Sequence, residues 1–110
     1  LVSEFLQNIV AISAGNHHVL ALDVDGYVWG WGKNQFGQLG NGTTSPSSTP
    51  VQVKVGPDTP LYDIVSIDAG FEHSMAIDND GCIWVWGRNE FGELGLDDKN
   101  NRNYATRMPE

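Results

Sequence analysis

The chain has few side chains of the types that carry catalysis or metal binding. Three histidines, one cysteine and a handful of neighbouring carboxylates make up the stock. His17 and His18 are adjacent, so on a strand they point to opposite faces and cannot chelate one ion together. The lone Cys82 excludes an internal disulfide and any multi-cysteine metal site, and it reads as a small packed residue. Asp97-Asp98 lies in a polar stretch without the ligand spacing of a calcium loop, so its expected role is to solvate that loop. Gly37-Gln38-Leu39-Gly40-Asn41-Gly42 is rich in glycine but lacks the dinucleotide spacing. No nucleophile elbow accompanies the histidines, so no Ser-His-acid triad can be assembled. Asn41-Gly42-Thr43 fits a glycosylation acceptor, although a loop rich in Asn and Gly produces that triplet by chance. The reading is a non-enzyme with no cofactor and no metal.

A repeat explains why these residues stand where they do. Between Ile9 and Gly40, 18 of 32 positions recur 55 residues later without a gap, among them His18 and His73, Trp31 and Trp86, Asn34 and Asn89. Self-similarity at a period of this order marks a solenoid, propeller or array, in which one repeat is one supersecondary unit. The 110 residues divide into two units, 1–55 and 56–110. A histidine that recurs in every unit is expected to pack and hydrogen-bond, because buried polar groups need partners.

Each unit reads as strand, turn, strand, loop, and no helical period persists. Asp25-Gly26 and Asp80-Gly81 each separate two apolar runs, the strongest short-range hairpin signal. Four strands are expected in the first unit, at about 9–14, 18–23, 27–32 and 51–55, the last from the alternation Val51, Val53, Val55. The second unit stops at Met108-Pro109-Glu110, so its outer strand is expected to be missing. Four antiparallel strands per repeat with glycine-rich loops give an all-β fold of β-propeller blades. Small Ala14, Ala21, Ala69 and Ala76 are expected near a crowded axis, with Trp29, Trp31, Trp84 and Trp86 farther out.

The repeated motif is specific. Gly15-x-x-His18, Gly26, Trp31-Gly32-x-Asn34 and Gly37-x-x-Gly40 reappear as Gly70-x-x-His73, Gly81, Trp86-Gly87-x-Asn89 and Gly92-x-x-Gly95, with Glu93 replacing Gln38. It resembles the repeat of the regulator of chromosome condensation family. That resemblance implies a propeller of about seven blades, of which this chain supplies about two. It also implies a choice of roles: an exchange factor for a small nuclear GTPase, an accessory propeller of ubiquitin-ligase or signalling proteins, or a bacterial inhibitor of β-lactamases. The wedge and basic tail of the exchange factor are not recognisable here.

Two blades cannot close a ring, and repeat units need neighbours to bury their faces. The chain opens on Leu1 rather than Met, so it is expected either to belong to a longer chain or to assemble with copies of itself, three giving six blades and four giving eight. Formal net charge is −8; residues 56–110 hold eleven acids and four bases against three and two in 1–55. That balance repels phosphate, so nucleic acid is not an expected partner. No apolar run is long enough to span a bilayer, so no membrane is expected either. The expected function is recognition of a protein, or of copies of the chain, through loops on one side of the ring, since loops on a rigid scaffold carry recognition. Asn16, His17, Gln35, Phe71, Glu72 and Glu90 are the candidates: they vary between units while their neighbours match.

Overall fold

The structure is a computed structural model, and it describes residues 6–109, so the outermost limits of the two units lie outside the described residues. Two four-stranded antiparallel sheets stand side by side. The first consists of β1 (Ile9–Ala14), β2 (His18–Asp23), β3 (Val28–Gly32) and β4 (Ser47–Gln52), paired in chain order. A short hairpin of β5 (Lys54–Gly56) and β6 (Thr59–Pro60) follows, and then the second sheet: β7 (Ile64–Ala69), β8 (His73–Asp78), β9 (Ile83–Gly87) and β10 (Arg102–Arg107). The repeat is exact enough that both β1–β2 and β7–β8 carry an irregularity in register at the same place, between Ile9 and Ala11 and between Ile64 and Ser66. The sheets are propeller blades, and the ring they begin is not closed.

The Asp-Gly turns form for a local reason that both units share. Asp23 Oδ1 accepts hydrogen bonds from the backbone N–H of Asp25 and Tyr27, and its Oδ2 accepts one from Trp29 Nε1 at 3.0 Å. Asp78 does the same with Asp80, Cys82 and Trp84. The glycines that follow, Gly26 and Gly81, adopt φ of 87° and 82°, which an L side chain resists. One carboxylate therefore closes the turn and fixes the ring of the tryptophan beyond it.

Two expectations are corrected at the outer strands. β10 is present and pairs with β9, so the second blade does not lack its outer strand. Its sequence, Arg-Asn-Tyr-Ala-Thr-Arg, shows no apolar alternation: β9 pairs with it at Arg102, Thr106 and Arg107, Gly42 N–H of the first unit bonds Asn103 O at 2.7 Å, and Ala105 alone among its side chains is buried. In the first blade the outer strand is 47–52 rather than 51–55. Val53 is fully buried, and the chain bends there: Val53 N–H bonds Val28 O at 2.9 Å, and Lys54 N–H bonds Gly40 O at 2.8 Å, which leads Lys54 into the small hairpin.

The core lies along the seam between the blades. Leu20, Leu22, Val28 and Val53 from the first unit meet Leu61, Ile64, Ala76, Trp86 and Ala105. Each fully buried leucine there contributes on the order of 2 kcal/mol. β7 of the second blade packs against β1 and β2 of the first, so the first strands lie innermost and the tryptophan-bearing third strands lie farther out. The seam also has polar locks. Ser74 Oγ donates to Gln38 O at 2.9 Å and meets His18 Nε2 at 2.9 Å; Trp86 Nε1 donates to the same Gln38 carbonyl at 2.9 Å. Since Ser74 spends its proton on that carbonyl, His18 Nε2 is the donor. Trp86 passes against Gly40, where a Cβ would stand 2.8 Å from the indole; φ is +67° as well.

Candidate functional site

Connections β1–β2 and β3–β4, with β7–β8 and β9–β10, emerge on one side of the blades, and the Asp-Gly turns emerge on the other. Backbone bonds knit the first side together: Lys33 N–H to His17 O at 2.9 Å, Arg88 N–H to Glu72 O at 3.0 Å, and, across the seam, Asn16 N–H to Phe71 O at 3.2 Å.

The long loops on this side are rigid because of a buried asparagine in each. Asn34 Oδ1 accepts from Leu39 N–H, and its Nδ2 donates to the carbonyls of Thr43 and Ser45. Asn89 repeats this with Leu94, Asp98 and Asn100. Gln38 Oε1 accepts from Phe36 N–H, and Glu93 Oε1 accepts from Phe91 N–H. The role needs only a carbonyl-type acceptor, which explains why glutamate serves in the second unit where glutamine serves in the first.

On this platform Arg88 is the centre. Its guanidinium lies 4.9 Å from the centroid of Phe36 and 4.8 Å from that of Phe91, one ring from each blade, and it bonds Glu72 at 2.7 Å and Glu90 at 3.2 Å. Glu93 is 4.0 Å away. One cation among three carboxylates leaves the patch net acidic. Phe91, on the loop that Asn89 locks, is 78% exposed, and Phe71, on the short β7–β8 connection, is 64% exposed.

Of the expected contact residues, the structure brings Asn16, Phe71, Glu72 and Glu90 into one connected patch. His17 and Gln35 stand exposed on loops of the same side, His17 bonded through its backbone carbonyl to Lys33 N–H. Sequence reasoning missed Arg88, Phe36 and Phe91. The signal was available: both units place a cation three residues before the phenylalanine, Lys33 before Phe36 and Arg88 before Phe91.

His18 is 2% exposed, and burial lowers its pKa from 6.5 to about 4, with the His73 backbone pulling the other way. Its Nδ1 has no hydrogen-bond partner among the described residues. It is a neutral seam residue. Trp84, then the Cys82 backbone, holds the Asp78 carboxyl below its usual range, and Arg102 does so for Asp98. Among the described residues no group of three or more His, Cys, Asp or Glu is placed to hold a metal ion.

Comparison with known proteins agrees with this geometry. The family described as "Regulator of chromosome condensation (RCC1) repeat" matches residues 25–77 and 80–109, and a second model of the same description matches 9–38 and 64–93. The probable E3 ubiquitin-protein ligase HERC3 of Homo sapiens is 42% identical over 97 residues, 87% of this chain and 9% of the relative. The ultraviolet-B receptor UVR8 of Arabidopsis thaliana is 36% identical over 96 residues, 87% of this chain and 21% of the relative. The chain thus spans from 9% to 21% of the length of these relatives. Among solved structures, Prp20p from Saccharomyces cerevisiae, described with its binding to Gsp1p and histones, superposes with a TM-score of 0.78 at 25% identity, covering 93% of this chain and 26% of that one. Human WBSCR16 gives 0.79 at 21% identity, covering 92% and 25%, a likeness of fold.

Proposed function

We propose that this chain, which belongs to the regulator of chromosome condensation repeat family, is a non-catalytic propeller segment whose loop side binds a protein partner. The observation that carries the reading is a pair of exposed rings on one side of the blades: Phe91, on the loop that Asn89 locks from within, and Phe71, on the short β7–β8 connection, whose backbone carbonyl accepts from Asn16 N–H across the seam. A rigid aromatic contact surface loses little conformational entropy on binding, and aromatics anchor interfaces. The acidic patch around Arg88 suits a partner with an apolar patch bordered by basic residues. Prp20p, a structural relative described as binding proteins, adds support. The ligase activity named for HERC3 is not carried over, since the chain covers 9% of that protein.

Copies of the chain are the second class of partner, and one observation weighs against them. If a copy docked by the rule of the internal seam, Val19 would stand where Ser74 stands, leaving His73 without the hydroxyl that His18 uses. Light scattering tests this directly: a mass well above 12.0 kDa would favour copies. For the loop side, affinity capture is compared between the natural chain and a Phe71→Ala, Phe91→Ala double variant, with Ile12→Ala as a control elsewhere. Each ring lost from a hot spot costs 2 kcal/mol or more, roughly thirtyfold in affinity. A binder captured equally by all three chains would refute the loop-side reading.

A further inference from the structure

A groove on the opposite side of the blades, among the Asp-Gly turns, has no part in that reading. Its volume is about 280 Å³, and Val55, Leu61, Tyr62 and Trp84 give it a mainly apolar lining. It forms where the β5–β6 hairpin and the lead into β7 meet the β8–β9 turn, joined by Asn79 N–H to Asp63 O at 2.9 Å. Three carboxylates line it, Asp63, Asp78 and Asp80, and no Lys, Arg or His is among its lining residues. The three differ in what they have left to offer. Asp78 spends both oxygens on the turn and on Trp84. Asp63 and Asp80 are exposed, and neither side chain makes a hydrogen bond or ion pair among the described residues.

Arg107 lies next to the groove, where its charge acts on Asp78, but it makes no ion pair with Asp63 or Asp80. An apolar, aromatic groove with those two unpaired carboxylates at its rim is complementary to one kind of side chain: a long apolar stem that ends in a cation. We infer that this groove binds an arginine side chain of a partner protein segment. Arginine is favoured over lysine because its weakly hydrated planar guanidinium both packs on aromatic rings and takes carboxylates in a fork. The volume suits one such side chain with part of its backbone. The groove lies within the pair of blades and uses neither Phe71 nor Phe91, so it stands or falls independently of the loop side.

The test uses the 110-residue chain and three probes: acetyl-Arg-Gly-Arg-Gly-Arg-amide, the same peptide with citrulline for arginine, and spermidine. The Trp84 indole N–H, fixed on Asp78, is the NMR reporter. The arginine peptide is expected to shift that signal saturably, the citrulline peptide to bind at least about tenfold more weakly, and spermidine to do likewise. Asp63→Asn with Asp80→Asn is expected to raise the arginine-peptide Kd at least about tenfold. The first substitution keeps the fold, since the repeat-equivalent Asn8 already holds φ 58° against 59° for Asp63. Phe71→Ala should leave this Kd unchanged. Equal binding of the citrulline peptide or spermidine, or an unaltered Kd in the double variant, overturns the assignment.

Discussion

Protonating His18 should weaken the seam between the blades over a pH window that no other perturbed group shares. The folded pKa of about 4 lies below the ordinary 6.5, so the unfolded chain takes up the proton first. The stability this residue contributes is therefore complete above 6.5, falls as pH drops through that value, and levels off near 4, where the folded state protonates too. The full difference is about 3 kcal/mol, and at pH 5 about 2 kcal/mol is already lost, a large share of what a domain of this size possesses. Asp78 and Asp98 have lowered pKa values, so the stability they contribute is lost only below about 4 and leaves the window clear. The assay is urea unfolding at pH 7.5 and pH 5, for the natural chain and for His18→Gln. The natural chain should lose about 2 kcal/mol more than the variant. Parallel losses in both chains, or an NMR titration of the His18 ring centred near 6.5, would refute the buried-neutral account of the seam.

Other substitutions probe the platform and the packing. Asn89→Ala strips partners from Leu94 N–H and from the Asp98 and Asn100 carbonyls, and should cost about 2–3 kcal/mol in chemical denaturation. Gly40→Ala pushes a methyl into the Trp86 indole at an unfavourable φ and should cost about 3 kcal/mol, whereas Gly81→Ala, with open space around it, should cost about 1 kcal/mol from its φ alone. Comparable losses at both glycines would contradict the close approach at the seam. Arg88→Met keeps the stem between the two rings but removes the charge, so stability should fall by about 1 kcal/mol. A double-mutant cycle with Glu72→Gln should show coupling that shrinks at high salt.

The parts of this fold that were legible in the sequence are those written twice. The Asp-Gly turns, the paired tryptophans and the histidine at the seam each appear at matched places, and each owes its position to interactions within the repeat or between its copies. β10 was illegible because Arg102–Arg107 is fixed largely by backbone bonds, to β9 at its ends and to Asn41–Gly42 of the first unit in its middle, and such bonds demand no side-chain pattern. The Phe36–Arg88–Phe91 stack was hidden for a different reason. Its phenylalanines belong to the recurring motif, so they read as structural, and only the three-dimensional juxtaposition of two loops gives them a shared cation. Asp63 and Asp80 are likewise brought into one groove by the antiparallel register that sets Ile64 opposite Asp78, a relation no linear spacing displays.

The shared carbonyl of Gln38 has a thermodynamic implication. Trp86 and Ser74 belong to one wedge and find their acceptor on the other, while His18 finds its acceptor in the reverse direction. Peeling the wedges apart breaks bonds donated from both sides at once and exposes their shared core to water, so neither half keeps by itself the stabilisation the pair has. Melting should then proceed as a single concerted event, with indole and imidazole reporters of the two repeats disappearing together.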